Sequence, residues 1–252
     1  MTTEPTTAFT ARLREESHAG WHSTINHRFV TEIFAGTIDD AVLLRYLIQD
    51  YQFFDAFMQL LGAAVAAAPT APARLRLARQ IGMLASEENS YYNQTLNHFD
   101  VPLSERLEPR LACETVDLLD LMYEAGGSGS WPQVLTVLVA AEWIYLDWAD
   151  NPEHTGLPEK PEHRGWIELH RGHAFRDWVM FLRQQLDHAE PDDPDQYESC
   201  HDLFRRMVLA ELAFFDAAYA DPDPCEVSPI EWSVPEGLAA DLNTRLRERT
   251  DY

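Results

Sequence analysis

Apolar residues recur at alternating spacings of four and three over long blocks, and that period commits the chain to helices. Leu43, Leu47, Phe54, Phe57 and Leu61 trace one stripe; Trp131, Leu135, Leu138, Tyr145 and Ala149 trace a second; Phe204, Val208, Phe215 and Ala218 trace a third. Few segments show the two-residue alternation of strands. With Pro and Gly as punctuation, the pattern predicts helices at about 6–19, 22–35, 38–68, 72–99, 108–125, 131–150, 162–189 and 194–220, and a short last one near 235–248. Thr37 is the expected N-cap of the third, with Asp39 and Asp40 in its first turn opposing the positive helix end. The 252 residues, 46% of them hydrophobic, suit one large all-α domain better than two small ones. The Pro-rich acidic stretch DPDPCEVSPIEWSVPEG is expected to pack back on the body through Ile230, Trp232 and Val234.

A formal net charge of −23 and a pI near 4.6 argue against nucleic acid and anionic membrane surfaces as partners, because the field of such a chain repels both. Cys113, Cys200 and Cys225 are odd in number and lack CxxC spacing, so neither a disulfide framework nor a thiolate zinc site is expected, and a reducing cytoplasm fits. The run AFMQLLGAAVAAAP stops at Pro69, well short of the roughly twenty apolar residues of a membrane span. The first residues carry no basic start followed by an apolar run, so the expectation is a cytoplasmic protein, neither exported nor membrane-embedded.

Three carboxylates intrude on the apolar stripes. Asp50, Glu142 and Glu211 each occupy an inward position of a predicted helix. Desolvating a lone carboxylate costs several kcal/mol or forces it to take up a proton, so three such intrusions point to one shared polar pocket.

Further motifs carry a resemblance. HRFVTEIFAGTIDDAVLLRYLIQDY, preceded by Trp21, is followed downstream by WIELHRGHAF and AELAFFDAAY. In this order they resemble the TenA/thiaminase II family over about residues 9–220, which implies the haem oxygenase-like helical bundle. The better-known branch of that family places a Cys nucleophile where this chain has Ala141; Glu142 is next to it, and the tyrosine four residues on is kept as Tyr145. That arrangement resembles the Glu-type branch, in which a glutamate appears and the nucleophilic Cys does not. Phe53 and His170 stand where the Cys branch has tyrosines.

The resemblance implies a flat aminopyrimidine from the pyrimidine half of thiamin as substrate, and an aminopyrimidine aminohydrolase or amidohydrolase activity in thiamin salvage. Two hydrolyses fit: deamination of 4-amino-5-aminomethyl-2-methylpyrimidine, with hydroxyl expected to replace the ring amine, and deformylation of its N-formyl derivative. Neither requires a cofactor or a metal. Asp50 suits the amidine-like edge of the ring, Glu142 water activation, and Glu211, at the position of the family's catalytic Glu, proton shuttling. Phe53, Phe54 and Trp143 are candidate stacking faces, Tyr145 a hydrogen-bond donor that orients Glu142, and His170 a further pocket residue. Relatives are often dimers or tetramers, and exposed Trp and Phe on helix faces would make a homo-oligomer reasonable. Two other readings compete. One is a pyrimidine-binding protein without turnover; the other is metal chemistry on the same fold, for which His18 with His22, Glu15 with His18, and Glu198 with His201 have helical ligand spacing.

Overall fold

Helix α9 (Trp131–Ala149) is apolar on nearly its whole circumference, from Val134 to Ala149, and a helix of that kind must be surrounded. In the computed structural model, which describes residues 8–154, 156–220 and Cys225, it is packed by α4 (Asp40–Ala67), α8 (Cys113–Gly127), α11 (Gly172–His188) and α12 (Pro194–Ala217). Around this bundle run α1 (Phe9–Glu16), α2 (His18–Ile25), α3 (Arg28–Ala35), α5 (Ala71–Met83), α6 (Asn89–His98), α7 (Leu103–Leu107) and α10 (Pro161–Leu169). A π-helical segment, Leu84–Glu88, joins α5 to α6. The regular elements of the described residues are all helical and share one apolar core, a single haem oxygenase-like domain. None of these helices is long and apolar enough to cross a membrane.

Several boundaries differ from the sequence expectation for local reasons. Asp39, not Thr37, caps α4: its side chain accepts from the Ala41 N–H, while the Thr37 hydroxyl turns back to the Glu32 carbonyl. The first two expected helices are three short ones, the last of which ends at Gly36 in a left-handed conformation with φ +68°. The block expected at 162–189 breaks at Gly172, φ +84°, into α10 and α11, and this break sets His170 at the end of α10. The short α7 was not expected. The expected final helix and the packing of Ile230, Trp232 and Val234 lie outside the described residues.

Cys113 and Cys225 form a disulfide, with Cα atoms 4.6 Å apart, and the Cys225 N–H donates to the Leu111 carbonyl at 2.8 Å. The expectation of no disulfide is therefore corrected, and with it the cysteine argument for a reducing compartment; Cys200 remains free, and it is buried. The large apolar side chains exposed among the described residues are Leu75, Leu103, Leu107, Leu157, Met180 and Leu209, none of them Trp or Phe.

Candidate active site

A cavity of about 820 Å³ opens between α4, the π-helical segment, α6, α9, α10 and α11. Asp50 enters it from the middle of α4, with only 3% of its surface exposed, and accepts a hydrogen bond from the Tyr92 hydroxyl of α6. Burial pushes the Asp50 carboxyl up to about 7, against the opposing pull of that hydrogen bond. Glu142 enters from α9, and the Trp178 indole N–H of α11 donates to its Oε1 at 2.6 Å. Its carboxyl is likewise raised to about 7 by loss of solvation, opposed by the Trp178 hydrogen bond.

A third acid lines the same cavity. Glu88 is the last residue of the π-helical segment, and burial, followed by the charges of Glu142 and Asp50, raises it well above the usual carboxylate range. It had a signal in the sequence: Leu77, Ile81, Leu84, Glu88, Tyr92 and Leu96 run along one face, with the acid among them. Their spacing slips from four-three to successive fours, the drift a wider π turn produces, so a search for the α period passes over it. Tyr92, the donor to Asp50, lies on the same run.

The aromatic part of the site follows the same helices. Phe53 lines the cavity and stacks on Phe57 with ring centroids 5.2 Å apart. Tyr145 lines it too, its hydroxyl 2.6 Å from that of Tyr46 and its ring 4.8 Å from His170. The Nδ1 of His170 lies 2.9 Å from the Trp166 carbonyl, which can only accept, so Nδ1 carries the proton and Nε2 keeps its lone pair. Burial lowers the imidazole to about 4, which keeps it neutral near pH 7. Across the cavity, the Tyr91 hydroxyl donates to the Glu162 carbonyl at 2.7 Å and its ring stacks on Trp166. Gly165 lies directly against that ring: a Cβ there would sit 2.9 Å from Tyr91 Cε2.

Not every expected residue reaches the cavity. Phe54, one residue beyond Phe53, packs on Tyr51 and Tyr92 instead. Trp143 points to the opposite side of α9, where the Arg183 guanidinium covers its ring at 3.5 Å and Trp21 meets it edge-on. Glu211 is wholly buried behind the wall, and neither carboxyl oxygen has a hydrogen-bond partner among the described residues. Burial first, then the charge of Asp50, raises it well above the usual range. Ala141 lines the cavity beside Glu142, so no thiol stands at that position. The helical metal pairs stay separate: His201 pairs with Glu16 at 2.7 Å, and His18 stacks on His22.

Fold and cavity together define an all-helical protein with a carboxylate-lined, aromatic-walled pocket. The chain belongs to the TENA/THI-4/PQQC family, whose sequence profile matches residues 15–221. An aminopyrimidine aminohydrolase of Helicobacter pylori is 24% identical over 216 residues, covering 82% of this chain and 96% of that protein. Another protein of that name, from Halalkalibacterium halodurans, is 19% identical over 84% of this chain and 96% of its own length. Among solved structures, a TenA homologue from Pyrococcus furiosus superposes with a TM-score of 0.75 at 20% identity, covering 84% of this chain and all of that one.

Proposed function

We propose that this chain hydrolyses aminopyrimidines derived from thiamin, in the manner of the Glu-type branch of its family. One observation carries the reading: Asp50 and Glu142, both raised to about 7 by burial, line one cavity with aromatic walls, and Ala141 stands beside Glu142 there. The names of the two curated relatives support the same substrate class.

In this reading the ring lies against Phe53 and Tyr145, and Asp50 holds the amidine edge formed by a ring nitrogen and the 4-amino group. That amine is therefore retained, and the one that leaves is on the aminomethyl carbon. Glu142, ionised more readily than Glu88 because of the Trp178 N–H, removes a proton from water as its oxygen bonds to that carbon. The carbon–nitrogen bond breaks, its electron pair leaves with the nitrogen, and Glu88 supplies the proton that makes the departing group ammonia. Positive charge that spreads into the ring is met by Asp50. A proton returns from Glu142 to Glu88 through solvent, and the cycle closes. This assigns proton delivery to Glu88 at the cavity wall rather than to Glu211, which is buried behind it and held in its protonated form. The same pair serves deformylation: water adds to the formyl carbon, the amide carbon–nitrogen bond breaks, and formate and the free amine result.

The test is incubation of the purified protein with the free and the N-formyl aminopyrimidine and with thiamin, following products by mass. Turnover of a pyrimidine, lost in Glu142→Gln, is the expected result. Tight binding of the pyrimidine without any product would replace the hydrolase with a binding protein.

A further inference from the structure

Beside the cavity, the start of α4 meets the start of α10 and brings together three side chains of metal-ligand type: Asp40, Glu162 and His163. One oxygen from each acid and one ring nitrogen of His163 lie within 4.8 Å of one another. His163 is completely buried, yet neither ring nitrogen has a hydrogen-bond partner among the described residues. Leaving such a group unpaired is costly, and an ion or water is what ordinarily satisfies it. The two acids facing it are half-buried and exposed, so a solvated cation has a way in.

Charge at the same place already selects for a cation. The Lys160 ammonium donates to Asp40 Oδ1 at 2.7 Å, with both side chains about half exposed, which leaves the other oxygen of Asp40 free of that contact. Both helix starts present positive dipole ends, which repel a bare cation, so carboxylates are needed to hold one there. We propose that Asp40, Glu162 and His163 bind one divalent transition cation of the zinc class, with water completing the shell. One imidazole nitrogen and two carboxylate oxygens form a mixed set that suits zinc in a four-coordinate site, whereas magnesium favours oxygen ligands and keeps its waters. Such an ion would tie α4 to α10, the helix that ends in Trp166 and His170 on the cavity wall; its role is to hold that wall, outside the acids that carry the reaction.

The experiment uses the full chain without an affinity tag, stripped by a chelator, with Zn²⁺ alone titrated by calorimetry and Mg²⁺ as a second probe. Wild type is expected to take up one equivalent of Zn²⁺ and to melt at a higher temperature with it. His163→Ala and Glu162→Gln should each weaken binding by more than about tenfold, while His22→Ala leaves it unchanged. Lys160→Ala should tighten binding by removing the competing ammonium. Asp40→Asn, at an exposed position, serves if His163→Ala fails to fold. Absence of stoichiometric uptake by wild type, uptake unchanged by the ligand substitutions, or equal binding of Mg²⁺ would each overturn the assignment.

Discussion

Two walls of the cavity present an acid by different means. On the α9 side, a regular helix carries Glu142, and Trp178 of α11 holds its oxygen with an indole N–H. On the side lined by the π-helical segment stands Glu88, which feels the charges of Glu142 and Asp50 and has no comparable donor among the described residues. The same desolvation acts on both, but the added hydrogen bond favours the anion of Glu142, while two neighbouring acids favour the protonated form of Glu88. Similar side chains are thereby separated into a base and an acid by their supports rather than by their chemistry.

That contrast breaks most sharply under substitution. Glu142→Gln and Glu88→Gln should each lower kcat by about 10²-fold or more. The pH profile of kcat tells them apart: the first should remove the acidic limb and the second the alkaline one. Loss of the same limb in both would collapse the distinction.

A smaller effect concerns stability. Asp50 and Glu142 are raised to about 7 in the folded chain, above their ordinary carboxylate values, so folding favours their protonated forms. The stabilisation is complete below about pH 4 and is lost as pH rises through 7. Unfolding free energies measured between pH 4 and 9 should therefore decline by about a few kcal/mol up to pH 7 and level off above it, with a shallower decline in Glu142→Gln. The smallest effect belongs to Trp178→Phe, which removes one N–H. The acidic limb should move to higher pH and the rate at pH 7 should fall about tenfold. An unchanged limb would show that Trp178 only fills space.

Much of this arrangement is legible in the apolar period, and its failures have local causes. Asp50 and Glu142 sit on regular stripes, so their inward direction follows from spacing alone. Trp143 and Phe54 are each one residue from a cavity residue, and one step along a helix turns a side chain by about 100°, enough to send both elsewhere. Glu211 was expected to share the pocket because an acid on a stripe can be read as inward but not as near or far from a cavity. Glu88 escaped because the π turn shifts the period. The Cys113–Cys225 bridge joins residues 112 apart, and no spacing rule reaches that distance.

Gly165 offers a means of resizing the pocket. Tyr91 cannot swing freely from it, since its hydroxyl is tied to Glu162 and its ring rests on Trp166. A single methyl group at position 165 would press on that anchored ring, and the strain would be passed to the side of the cavity where a substrate lies. Position 165 thus acts as a gauge of how large a guest the cavity admits, set by a residue that has no side chain of its own.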